Sequence, residues 1–187
     1  MTATPAAQAI WFGSERAPLF GWYHRPAPGR SIGQAAVLCN PFGYEALTTH
    51  RSYRVLAEQL AAQGIATLRF DYEGTGDSSG EDPAPGRVAS WQASIAAALA
   101  ESRRRSRGLP VTLVGLRLGA SLAMLAAAGD QHVAALVLWT PFIAGKHLVR
   151  ELRAVRMMGE GESERTGSRA ATIEEGGGFQ VDAAAAA

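Results

Sequence analysis

Val111-Thr112-Leu113-Val114-Gly115-Leu116-Arg117-Leu118-Gly119-Ala120-Ser121-Leu122 carries an apolar run into a Gly-x-x-x-Gly turn and leaves it as an alanine-rich segment. The pattern predicts a strand, a sharp turn and a helix, because small residues on both sides of the turn let it tighten until one side chain stands clear of the sheet. The residue lifted is Arg117. A guanidinium there offers five donors, a permanent charge and no nucleophilic lone pair.

Working outward from that turn, the chain alternates apolar runs with amphipathic segments. Ala35-Ala36-Val37-Leu38-Cys39, Ile65-Ala66-Thr67-Leu68-Arg69-Phe70 and Ala134-Ala135-Leu136-Val137-Leu138-Trp139 lack alternation and read as strands buried on both faces. Between them, residues 51–63 place Tyr53, Leu56, Ala57, Leu60 and Ala61 on one helical face, with Gly64 as the stop. Val88, Trp91, Ile95 and Leu99 form the stripe of a second helix that ends in Arg103, Arg104, Arg105 and Arg107, a cluster read as solvated. Two aromatic-rich runs before residue 25, separated by Ser14-Glu15-Arg16, predict an antiparallel hairpin. Strands alternating with helices predict an α/β fold with a mostly parallel sheet flanked by helices, whose ligands sit at the carboxyl ends of the strands. The expected unit spans residues 1–158, with Leu148, Leu152 and Val155 on one face of a last short helix. Residues 159–187 read as a low-complexity tail, mobile or truncated, that closes in an alanine run and contains no strand.

Composition narrows the function classes. In 187 residues there is room for one core, and a net charge of +1 with 19% charged residues supplies no basic surface for nucleic acid. No apolar stretch approaches the length of a membrane span and no secretory leader precedes residue 10, so the expected location is cytoplasmic. The single cysteine, Cys39, falls inside an apolar run and reads as a small buried hydrophobe. No His, Cys and carboxylate spacing suggests a metal, and no cofactor is expected. Gly74-Thr75-Gly76-Asp77-Ser78 lacks the Gly-Lys-Ser/Thr ending of a phosphate loop and reads as a turn, braced by Asp71 accepting backbone N–H bonds. The residues do not define an oligomeric state.

Three ordered motifs carry a family resemblance: Asn40-Pro41-Phe42-Gly43-Tyr44-Glu45, Phe70-Asp71-Tyr72-Glu73-Gly74-Thr75-Gly76-Asp77-Ser78 and Gly115-Leu116-Arg117-Leu118-Gly119-Ala120. Together they resemble the serine aminopeptidase-like members of the α/β-hydrolase superfamily. Within it they are most similar to bacterial hydrolase-like proteins of exosortase and exopolysaccharide systems, some with arginine at the same turn. The resemblance implies an α/β-hydrolase fold over residues 9–142, with Arg117 at the nucleophile elbow and the backbone of Phe42 and Leu118 as the oxyanion hole. It also implies an acid and a histidine after later strands; here the histidines are His24, His50, His132 and His147, all earlier, so the later strands read as missing.

A cation at the first turn of a helix opposes the dipole, so something anionic is expected to answer Arg117. An anionic ligand group is one candidate; the carboxylates of Glu45, Asp71 and Glu73 on neighbouring strand-end loops are the other. Ser121, one turn further along, is expected to pack against the sheet, while His50 and His147 are placed where either could face the pocket and read as polar surface residues before general bases. The preferred function is a hydrolase-family protein with a degenerate nucleophile position, whose strand-end pocket, with Asn40 beside it, binds a small acyl, ester or anionic molecule. Two alternatives stand beside it: an active esterase or acyl-transfer enzyme working through another nucleophile or a water, and a non-catalytic scaffold in an envelope polysaccharide or protein-sorting pathway.

Overall fold

The computed structural model describes residues 7–80, 86–159, 173–176 and 179–182. Six strands form one sheet: β1 (Ala7–Gly13), β2 (Pro18–His24), β3 (Gln34–Cys39), β4 (Ile65–Phe70), β5 (Val111–Leu116) and β6 (Val133–Trp139), in spatial order β1-β2-β4-β3-β5-β6. The predicted hairpin is there: β1 and β2 pair antiparallel, and β2 joins the antiparallel edge of β4. From β4 through β3 and β5 to β6 every pairing is parallel. This is the α/β-hydrolase fold anticipated from the sequence.

Period-two alternation along the central strands divides the core between two helical layers. Val37, Cys39, Leu113 and Leu68 pack with Trp91, Ile95 and Leu99 of α2 (Arg87–Ser106) and with Leu118 and Leu122 of α3 (Leu118–Gly129). Leu38 and Val114 face the opposite way, onto Tyr53 and Ala57 of α1 (Tyr44–Ala62). The largest side chain in the first layer is Trp91, which is 1% exposed. Truncating a buried aromatic of this size typically costs about 3–5 kcal/mol.

Four expectations need correction. α1 begins at Tyr44, seven residues before the predicted start at Arg51. Its first two turns show solvent Tyr44 and Leu47 instead of an apolar stripe, so periodicity does not reveal them. β6 is a strand as read, but it is not buried: Leu136, Val137 and Trp139 are exposed, because β5 is its only paired neighbour among the described strands. The arginine cluster at the end of α2 is only partly solvated. Glu101 accepts from Arg104 and Arg105, Arg103 pairs with Asp130 at 2.8 Å, and Arg105 stacks over the Tyr23 ring. Residues 159–187, read as a tail without strands, contain an antiparallel pair, β7 (Ile173–Gly176) and β8 (Phe179–Asp182). Each is four residues long, too short for a two-residue period to register.

α4 (Gly145–Gly159) follows β6, with Val149 buried and Leu148 packed on the core. The side chain of Val155, the proline-containing segment around Pro83 and Pro85, and the alanine run at 183–187 lie outside the described residues.

Candidate functional site

The turn between β5 and α3 is held by contact distances that admit no side chain on its glycines. A Cβ on Gly115 would lie 2.5 Å from Ala120 Cα, and one on Gly119 would lie 2.3 Å from the carbonyl oxygens of both Cys39 and Asn40. The spacing of Gly115 and Gly119 thus records how closely α3 approaches its own strand and the end of β3. Between them Arg117 adopts φ 55° and ψ −119°. A non-glycine residue in such a conformation typically costs about 1–3 kcal/mol and persists only where its surroundings over-determine it. Here the Arg117 N–H donates to Trp139 O at 2.8 Å, and its carbonyl accepts from the N–H groups of Ala120 and Ser121 at 3.1 Å.

The Arg117 guanidinium is answered by carboxylates of the protein itself. Nε donates to Glu45 Oε1 at 2.9 Å, Nη2 donates to Glu151 Oε1, and the group lies 4.3 Å above the Phe142 ring centroid. Burial alone would lower its pKa, but the hydrogen bonds and charges of Glu151 and Glu45 outweigh this and raise it further above its ordinary range. Glu45 was among the sequence candidates and sits in the first turn of α1, where a carboxylate also complements the helix dipole. Glu151 was not, because the segment after Pro141 carries too faint a period to place its faces. Ser121 is partly buried and ties down the loop after β6: its hydroxyl accepts the Phe142 N–H at 2.8 Å and lies 2.8 Å from Phe142 O.

A cavity of about 490 Å³ opens at the carboxyl ends of β3 and β4. It brings together Asn40, Phe42, Asp71 and Leu118 of the predicted site; Glu45, Glu73 and Arg117 do not line it. Its apolar wall is an aromatic stack, with Trp91 5.3 Å from Phe42 and 5.6 Å from Tyr72 between ring centroids. Trp91 was read as core, and it is buried, yet it also faces the cavity. Its indole N–H is committed to Glu73 O at 3.0 Å, so Glu73 contributes backbone here. Asn40 is held at two points: its side-chain Nδ2 donates to Phe70 O at 2.7 Å, and its backbone carbonyl accepts from Tyr72 Oη at 3.1 Å.

Asp71 braces the loop after β4 as anticipated, accepting the Asp77 N–H at 3.1 Å through Oδ2. Burial pushes its pKa up, against the pull of the Asp77 N–H and the more distant Arg69 and His50. His50, read as a surface residue that could face the pocket, is exposed and lines the cavity. His147 is exposed on α4 and does not line the cavity. Burial raises the Cys39 thiol to about 12, which suits its place in the core. Among the described residues no three His, Cys, Asp or Glu side chains gather where they could hold a metal ion.

Residues 47–166 match the family model described as serine aminopeptidase, S33. The match covers more than half of the chain, which therefore belongs to this family of α/β hydrolases. Among solved structures, a lid-less α/β serine hydrolase of Xanthomonas campestris superposes with a TM-score of 0.59 at 22% identity, covering 71% of this chain and 60% of that one. An esterase of Pyrococcus furiosus gives a TM-score of 0.66 at 17% identity, covering 83% of this chain and 57% of the other. An α/β serine hydrolase homologue of Coxiella burnetii gives 0.58 at 21%, covering 70% and 61%. The chain thus spans about three fifths of the length of these structural relatives, and at such identities the likeness concerns the fold. No curated protein matches the sequence. Among the described residues no helix is long and apolar enough to cross a membrane.

Proposed function

We propose that the protein is a hydrolase-family member that binds a neutral acyl or ester compound in the cavity and performs no covalent serine-type chemistry on it, because arginine fills the nucleophile position. The observation that carries this reading is Arg117 itself: it occupies the tight turn between β5 and α3 in a strained backbone conformation, and its side chain is engaged by Glu45 and Glu151. An arginine cannot be deprotonated to attack a carbonyl. Ser121 does not substitute, since its hydroxyl is spent on Phe142.

Phe42 and Leu118 both line the cavity, and Leu118 is the first residue of α3, where helix N–H groups have no intrahelical partner. Backbone amides in that position suit the carbonyl oxygen of an ester. A neutral ligand is favoured over an anionic one because the carboxylate in the cavity wall is Asp71, whereas the cation, Arg117, is directed to Glu45 and Glu151. The envelope polysaccharide or protein-sorting setting rests on the likeness of the three motifs to exosortase-associated proteins.

A fluorophosphonate probe and short-chain nitrophenyl esters test the reading on the full chain. The expected result is no labelling and no turnover above a heat-killed control, with thermal stabilisation by non-hydrolysable acyl analogues. Labelling or turnover would overturn it in favour of an active esterase. Stabilisation by phosphate or sulfate in the native chain but not in Arg117→Ala would instead support an anionic ligand.

A further inference from the structure

Arg69 stands in the middle of the antiparallel and parallel halves of the sheet, on β4, with about nine tenths of its surface buried. Its polar partners include two imidazoles. Nε lies 3.3 Å from His24 Nε2 and Nη1 lies 3.4 Å from His50 Nε2, while the guanidinium carbon sits 5.5 Å from the Trp22 ring centroid. A guanidinium has donors only, so both histidines must accept through Nε2, and each ring's proton then resides on Nδ1. For His24, which is fully buried, that Nδ1 meets no partner among the described residues. For His50, on α1, the ring edges the cavity, and Nδ1–H is the donor it has left to offer.

Asp71 lines the same cavity, and its carboxylate has acceptor capacity beyond the bond it takes from the Asp77 N–H. A donor and an acceptor therefore edge one cavity whose other wall is the Phe42, Trp91 and Tyr72 stack. A carboxamide or a hydroxyl can accept from the first and donate to the second. A carboxylate of the same size could accept from His50 but would meet the charge of Asp71.

We propose that Arg69 fixes the His50 ring as a hydrogen-bond donor, and that the His50 and Asp71 edge of the cavity selects a neutral ligand whose apolar body ends in a carboxamide or hydroxyl. The proposal rests on the reading of this cavity as the ligand site. In it, His50 and Asp71 touch the ligand and Arg69 is a positioning residue, acting through His50.

Calorimetric titration of the full chain with 4-phenylbutanamide, 4-phenylbutanoate and butylbenzene tests it, together with the histidine ring tautomer read from long-range 1H–15N NMR. The amide should bind more tightly than either of the others. His50→Leu, at an exposed position, should remove about two- to tenfold of that advantage, and His50→Gln, which keeps a donor, should restore part of it. The His50 ring should show its proton on Nδ1 in the native chain and shift toward Nε2 in Arg69→Leu. Two results would overturn the proposal while leaving the cavity reading intact: butylbenzene binding as tightly as the amide, or a native His50 protonated on Nε2. Failure of all three compounds to bind would overturn both.

Discussion

Arg117 and Glu45, 72 residues apart in the chain, meet at 2.9 Å from Nε to Oε1, and with Glu151 they join α1, the turn before α3 and α4 at one point. The ion pair is partly wet, since the Arg117 side chain is 23% exposed and that of Glu45 40%. Screening by solvent should hold its coupling energy below about 1 kcal/mol. A double-mutant cycle of Arg117→Ala and Glu45→Ala in urea measures this, and a coupling of several kcal/mol would show that the pair is effectively desolvated. The same position separates side-chain from backbone effects. Arg117→Gly should be more stable than Arg117→Ala by about 1 kcal/mol, because glycine accepts φ 55° without strain.

Gly119→Ala should be among the most damaging small substitutions in the protein. The added methyl would be driven into two backbone carbonyls, those of Cys39 and Asn40, which no rotamer change can move aside. Overpacking of this kind usually costs about 1–3 kcal/mol, and rigid backbone on the far side places this case at or above the upper end. Urea denaturation monitored by tryptophan fluorescence gives the loss directly; an unchanged midpoint would mean that α3 can slide away from β3 without cost.

The same contacts explain why the fold was so legible. Gly115 and Gly119 could be read from the sequence because close approach leaves a permanent mark on residue choice, and the buried runs at 35–39, 65–70 and 111–116 mark strands covered on both sides. An apolar run does not say what covers it, however, and Leu136, Val137 and Trp139 of β6 proved exposed. Asn40, Phe42, Asp71 and Leu118 line the cavity because they follow strands or begin a helix, positions that local signals identify. His50 and His147 could not be told apart as pocket candidates, because the first two turns of α1 face solvent and the cavity, where no hydrophobic period forms; only His50 lines the cavity. Glu151 and the Arg69–His24 contact depend on which elements become neighbours, information that spacing along the chain does not contain.

His24 makes stability pH-dependent in a definite direction. Burial first, and then the nearby Arg69 charge, lower its pKa from an ordinary 6.5 to about 4. A base that holds its proton less tightly when folded contributes stability above its unfolded pKa and loses it as pH falls through the interval down to the folded value. The loss should therefore fall between pH 6.5 and about 4, with a size on the order of 3 kcal/mol from 1.36 kcal/mol per unit. Urea midpoints collected across that range should decline more steeply for the native chain than for His24→Leu. The slope is the readout, because the substitution also leaves Arg69 Nε without its acceptor and shifts the absolute stability. Parallel slopes in the two proteins would assign the acid sensitivity to other groups.

The edge of β6 should make the chain self-associate. Its seven residues, Val-Ala-Ala-Leu-Val-Leu-Trp, carry no charge and no proline, the devices by which edge strands resist pairing with another chain. Leu136, Val137 and Trp139 are 39%, 40% and 44% exposed, so apolar surface accompanies a row of backbone groups that, among the described strands, only β5 pairs on its own side. Sedimentation velocity over a range of protein concentrations should show mass rising with concentration. Val137→Lys places a charge on the strand without disturbing the β5 ladder, whose hydrogen bonds are backbone groups, and should restore a monomer with an unchanged urea midpoint. A native chain that remains monomeric at every concentration would mean that the edge is protected, and one whose association survives Val137→Lys would place the contact elsewhere on the surface.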